Sequence, residues 1–157
     1  MRLARKSADN FLFELSKREK RLLFEILKLY PLIPTAHHRL SKGADPKEVE
    51  PDQRLLEEAL VEQKRQNKKQ LLALLDEEER FVEAKNGYHV TLSSHQMDWL
   101  LQVLNDIRVG CWLKLGCPDE KTGKRVELDE DSVRFFFAME YCVLFQAALL
   151  KAFDAPS

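Results

Sequence analysis

The chain alternates short apolar runs with segments whose apolar residues recur every three or four positions. Phe11-Leu12-Phe13-Glu14-Leu15 is aromatic and apolar with one polar break, which predicts a short strand. Ser16 follows, with Glu19 three residues on, the spacing of a capping box. The helix it opens carries Leu22, Leu23, Ile26, Leu27 and Tyr30 on one face, and Pro31 and Pro34 end it. Residues 31–51 hold four prolines, a glycine and two histidines and read as an irregular connector. A helix then opens at Pro51 or Asp52. Its apolar stripe (Leu55, Leu56, Ala59, Leu60) fades through residues 62–70 and resumes at Leu71, Leu72, Leu74 and Leu75. Residues 53–85 contain no Gly or Pro, so one long helix is the simplest reading. Four consecutive acidic residues, 76–79, suit a helix start better than a helix interior and favour a break there. Asn86-Gly87 is then either a hairpin turn or a helix cap, and both readings stay open.

Tyr88-His89-Val90-Thr91-Leu92 reads as a strand. Ser93 and Gln96 form a second capping box. The helix that follows runs to about Leu115, with Leu100, Val103, Leu104, Ile107 and Cys111 inward, and Gly116-Cys117-Pro118 stops it. Arg125-Val126-Glu127-Leu128 is a candidate third strand. Asp129 or Asp131 caps a last helix over about 131–153, apolar nearly all round, which suits either the central helix of the fold or an oligomer interface. Leu15-Ser16 through Leu27 lies over Leu92-Ser93 through Leu104 without a gap, and a fainter copy starts at Leu128-Asp129. Any strand-to-helix junction has this look. The sharper reading is a pseudo-twofold pair, and it requires the two strands to be neighbours.

Composition narrows the class. The chain has 157 residues, 45% hydrophobic and 32% charged, enough for a core without staples and too apolar for disorder. Three cysteines give no disulfide framework. Residues 1–10 are polar and lack a signal core, so a bacterial-type cytosol is the expected location. Residues 135–153 approach the length of a bilayer span. Glu140, Gln146 and Lys151 interrupt them, which favours a buried helix over a membrane one. Net charge is −1, but residues 1–70 carry net +5 and residues 71–157 net −6. Such halves attract each other within a chain or between copies.

Motifs that carry chemistry are scarce. His37-His38, His89, His95, Cys111, Cys117 and Cys142 show no metal-ligand spacing, so no metal is expected. Phosphate-cradling glycine loops are absent from the sequence, and neither a cofactor nor a catalytic residue is assigned. Asn105, Asp106 and Arg108 sit inside an apolar helix, where polar groups need partners. The expectation is a structural polar cluster with Arg134 and Glu140 of the last helix. Lys64, Arg65, Lys68 and Lys69 share a helix face, and Lys17, Arg18, Lys20 and Arg21 crowd a first helical turn. Both are weak candidate binding surfaces. The second opposes the helix dipole, which hints at a compensating anion.

The stretch from Asn86-Gly87-Tyr88-His89-Val90-Thr91-Leu92 through Trp99-Leu100-Leu101-Gln102-Val103-Leu104-Asn105-Asp106-Ile107-Arg108-Val109-Gly110 resembles an uncharacterised bacterial family, the domain of unknown function DUF2017. Its members typically show a glycine and a short strand, then a helix reading W-L-x-x-L-N-D-L-R-L. Ile107 and Val109 replace the usual leucines here. The long charged helix before it and the apolar helix after it fit the same layout, over residues 10–153. The resemblance implies no activity and supplies no catalytic residue. Actinobacterial relatives are often encoded near the ClpS protease adaptor, which implies a link to regulation or protein turnover, although the connector here departs from that group.

The expected fold is a single domain over 1–157, mainly α, with four main helices in a bundle-like core and two or three short strands. The expected function is a noncatalytic interaction or regulatory protein, homodimeric. A nucleic-acid-binding regulator using the basic helix faces is the alternative, and an enzyme using the Asn105-Asp106-Arg108 region is the third reading.

Overall fold

The structure, a computed structural model, describes residues 1–32, 51–119, 121–123, 127 and 129–157. The elements run β1 (Arg2–Ser7), β2 (Asn10–Leu15), α1 (Lys17–Leu27), α2 (Pro51–Asp76), a single 3-10 turn (Glu78–Arg80), β3 (Phe81–Ala84), β4 (Gly87–Ser93), α3 (Ser94–Lys114) and α4 (Glu130–Asp154). Among the described residues there are four helices, the number expected. The described strands number four rather than two or three, and they form one antiparallel sheet in the order β1-β2-β4-β3. The fold is therefore α+β, with helices packed on a sheet, rather than a helical bundle with minor strands. Most of the connector (residues 33–50) and most of the candidate strand at 125–128 lie outside the described residues, as do His37 and His38.

Period-two alternation decides which side of the sheet the helices cover. Phe11, Phe13, Leu15, Val90 and Leu92 point to the helices and are buried. Phe11 meets Phe153 of α4 edge to face at 5.6 Å between ring centroids. The opposite side is mostly polar, with Leu12 and the exposed Val82 among its residues. There Glu14 stands between Arg2 of β1 and His89 of β4, with His89 Nε2 at 3.5 Å. Its hydrogen bond with the Arg2 guanidinium holds the Glu14 carboxyl below the usual carboxylate range.

Both capping boxes form as the spacing requires. Ser16 Oγ accepts from Glu19 N and Ser93 Oγ accepts from Gln96 N, while each partner side chain accepts from the cap's own N–H. α4 is capped by Asp129, which accepts from the N–H groups of Asp131 and Ser132; those contacts, led by Ser132, lower its carboxyl. Such caps are worth about 1 kcal/mol each. The choice left open for residues 76–85 falls to the break and the hairpin: the helix ends at Asp76, and residues 81–84 are strand.

The two strand-helix units are neighbours and match closely. β2 pairs with β4 with Phe13 opposite Val90, its own counterpart in the aligned segments. The likeness extends beyond the aligned stretch. In the first hairpin Ser7, Lys6 and Arg5 face Asn10, Phe11 and Leu12; in the second Ala84, Glu83 and Val82 face Gly87, Tyr88 and His89. Every one of these positions is 77 residues from its counterpart. At the same offset, buried Leu23, Ile26, Leu27 and Tyr30 match buried Leu100, Val103, Leu104 and Ile107. The body of the fold is thus two ββα units about a pseudo-twofold axis through the Phe13–Val90 pair. The difference lies in β1, whose register shifts between Leu3 and Arg5.

Helices α3 and α4 pack along each other and enclose Val103, Leu104, Ile107, Cys111, Cys142 and Leu149, all 0% exposed. Full burial of an aliphatic side chain contributes about 1.5–3 kcal/mol. Burial pushes the Cys111 thiol up to about 11 and the Cys142 thiol up to about 12, so both are neutral at ordinary pH. Only the C-terminal part of α2 reaches the core, through Asn67, Leu71 and Leu74, while Leu55, Leu56 and Val61 near its start stay exposed.

Candidate interaction surface

The polar residues marked in the sequence fall into separate places. Asp106 does not pair with α4. It turns to α2, where Lys64 Nζ lies 3.8 Å from Oδ1, with both side chains 14% exposed. Its Oδ2 accepts from the Leu32 N–H at 3.4 Å. Beside it, Lys68 Nζ donates to the Tyr30 carbonyl at 2.8 Å, and Gln63 donates to the buried Asn67 at 3.0 Å. Burial, opposed by a hydrogen bond with Asn67, raises the Tyr30 hydroxyl. This cluster fastens α2 across the ends of α1 and the middle of α3. The Tyr30 carbonyl lies just past the C-cap of α1, outside the helix, and the Lys68 ammonium supplies the hydrogen bond that a shielded carbonyl needs there.

The expected cluster of Asn105, Asp106, Arg108, Arg134 and Glu140 is therefore not assembled. Among the described residues Arg108 donates to no side chain of α4; it donates to Asn105 Oδ1 on its own helix at 2.9 Å. Arg134 stacks on Phe135, with 4.9 Å from Cζ to the ring centroid. Glu140 is exposed. The four basic residues of α2 likewise do not form one open face: Lys64 and Lys68 point inward, Arg65 pairs with Glu62 at 2.9 Å, and Lys69 is exposed.

On α1, Lys17, Arg18 and Arg21 are exposed, but Lys20 folds back. Its ammonium lies 3.9 Å from the Tyr88 ring centroid, 5.3 Å from Phe81 and 5.4 Å from Phe24. Three aromatic faces, not an anion, compensate this cation at the helix start. Its counterpart in the second unit is the fully buried Met97. Lys20→Ala is expected to lower stability by about 1–2 kcal/mol, and Lys20→Met to recover most of that. Chemical denaturation checks both, and an unchanged midpoint for the alanine variant would contradict the cage.

α4 stands out for what it leaves uncovered. Ala138, Cys142, Phe145, Leu149 and Ala152 face the core. On the outward side Phe137, Val143, Leu144 and Leu150 are 55%, 48%, 62% and 54% exposed. Four large apolar side chains exposed on one side of a helix, with Glu140 and Lys151 among them, suit a contact surface. The helix is long and apolar enough to cross a membrane, with a mean hydropathy of 1.6 over its most apolar window, but a core helix of a water-soluble fold passes the same test. α4 is thus neither central nor fully buried: one side is core and the other is surface. Next to Phe137 a groove of about 590 Å³ separates α4 from α1, floored by Leu22, Ile26, Leu29 and Tyr141.

Sequence reasoning saw α4 as apolar all round but not how it divides. The signal was there in part: the inward set 138, 142, 145, 149, 152 leaves 140, 144, 147 and 151 on the other side. Among the described residues no three His, Cys, Asp or Glu side chains converge on a point that could hold a metal ion.

No curated protein and no solved structure matches the chain. A family model does, over residues 28–152: the domain of unknown function DUF2017. The match takes in β3, β4 and α2 to nearly the end of α4, and starts just after α1. The segment from Trp99 to Asp106 within it divides between core and fastening, with Trp99, Leu100 and Leu104 buried and Asp106 holding α2. The chain belongs to the DUF2017 family.

Proposed function

We propose that this protein is a noncatalytic interaction protein that forms a homodimer through the outward face of α4. The observation that carries the reading is the exposure of Phe137, Val143, Leu144 and Leu150 on one helix. Covering four such side chains removes apolar area from water at roughly 25 cal/mol per Å², enough to offset part of the cost of association. The adjoining α1–α4 groove adds apolar surface that the same contact can reach. The nucleic-acid alternative has lost its main support, since half of the α2 basic set points inward.

Leu144→Glu places a charge in the middle of the face without touching the core. The expected result is a monomer by light scattering, with a melting temperature within a few degrees of the parent. A parent chain that is already monomeric at high concentration contradicts the reading. If that monomer also pellets with anionic or neutral lipid vesicles, the face serves a membrane surface instead.

A further inference from the structure

The outward face of α4 carries two charges whose positions fix how a second copy can sit on it. Glu140 and Lys151 are both exposed, and neither has an ion-pair partner among the described residues. Between them lie Val143, Leu144, Ala147 and Leu150, also exposed. All six positions fall on one side of the helix at steps of three and four residues. Glu140 and Lys151 are equally far from the midpoint between Leu144 and Ala147.

We infer that α4 pairs antiparallel with α4 of a second copy, with Leu144 of each chain against the partner's Ala147, and Glu140 of each against the partner's Lys151. This rests on the homodimer reading and adds its orientation and register. A parallel, in-register pairing sets Glu140 against the partner's Glu140 and Lys151 against the partner's Lys151, two like-charge contacts. The antiparallel register turns both into opposite-charge contacts, made twice by symmetry. At about 1.5 Å rise per residue each charge pair sits about 8 Å from the crossing point. A shallow crossing near 20° keeps the helices close enough there for these long side chains to meet. Ala147 at the crossing lets Leu144 of the partner approach, a large residue facing a small one. The N-terminal end of the stripe then leaves Phe137 and the α1–α4 groove at the two outer ends of the interface.

A charge swap tests the register with little risk to the fold, because Glu and Lys are both good helix formers and both sites are exposed. Glu140→Lys and Lys151→Glu are each expected to weaken dimerisation about tenfold at low salt. The double variant carries the same pairs reversed and is expected to return to within about threefold of the parent. Sedimentation equilibrium reads all four proteins, with circular dichroism confirming helix content. A parent that dimerises while the swaps do nothing, or while the double variant is weaker than either single, overturns this register and leaves the homodimer standing. A parent that never dimerises overturns both.

Discussion

Gly87→Ala is expected to destabilise the fold by roughly 3–5 kcal/mol, a large share of the roughly 5–15 kcal/mol that domains typically have. The reason is proximity rather than backbone conformation. Gly87 opens β4 where β2 ends, and a Cβ there would lie 2.1 Å from the Leu15 carbonyl oxygen and 3.0 Å from the Ser16 Cα. These are backbone atoms at the junction where the chain leaves the sheet for the capped α1, so no side chain can swing aside. Relief requires moving β2 away from β4, which breaks the pairing that joins the two ββα units. Alanine's lower unfolded-state entropy returns at most about 1 kcal/mol. Urea denaturation followed by far-UV circular dichroism measures the loss. A midpoint within error of the parent would mean that the β2–β4 approach is looser than described.

Asp106→Ala is expected to cost about 2–3 kcal/mol. The carboxylate faces Lys64 at 3.8 Å in a site where both side chains are largely shielded, and it accepts the Leu32 N–H. Its removal leaves a desolvated ammonium without the carboxylate it faces and a backbone donor without its acceptor. The loss should fall mainly on α2, which meets the rest of the fold through this cluster and through Leu71 and Leu74. Hydrogen exchange is the discriminating readout: faster exchange in α2 with α3 and α4 protected supports a local fastening. A double-mutant cycle with Lys64→Met should show the double variant less destabilised than the sum of the singles. Additive losses would mean that the two groups do not interact.

What the sequence made legible is what local rules control. The two capping boxes are contacts between residues three apart, and Ser16–Glu19 and Ser93–Gln96 could be read without knowing the fold. The inward faces of α1 and α3 followed from spacing in the same way. β1 was missed because Arg2, Arg5 and Lys6 make it look like a polar tail. The edge strand leaves Arg2 and Arg5 in water while Lys6 donates to the Phe153 and Ala155 carbonyls, and only its pairing with β2 makes it a strand. Asn86-Gly87 did mark a hairpin, but Lys85 and Asn86 make the turn, and the glycine is there for the space beside Leu15.

The candidate sites were harder to read. Lys64 and Lys68 looked like a solvated stripe because helical spacing says which residues share a face, not where that face points. Their partners, Asp106 and the Tyr30 carbonyl, are 42 and 38 residues away in the chain. Lys20 was judged unfavourable at a helix start because the rings that surround it come from three elements. In α4 the uniform apolar character hid the division between a core side and an outward side, which depends on α3 and the sheet occupying one of them.

The measurement that bears most directly on the account is sedimentation equilibrium of the unaltered chain across a wide concentration range. A chain that pairs through α4 gives a reversible rise from one to two times the 18.3 kDa chain mass. A single species at the chain mass up to the highest concentration would contradict it, and the outward face of α4 would need a different occupant.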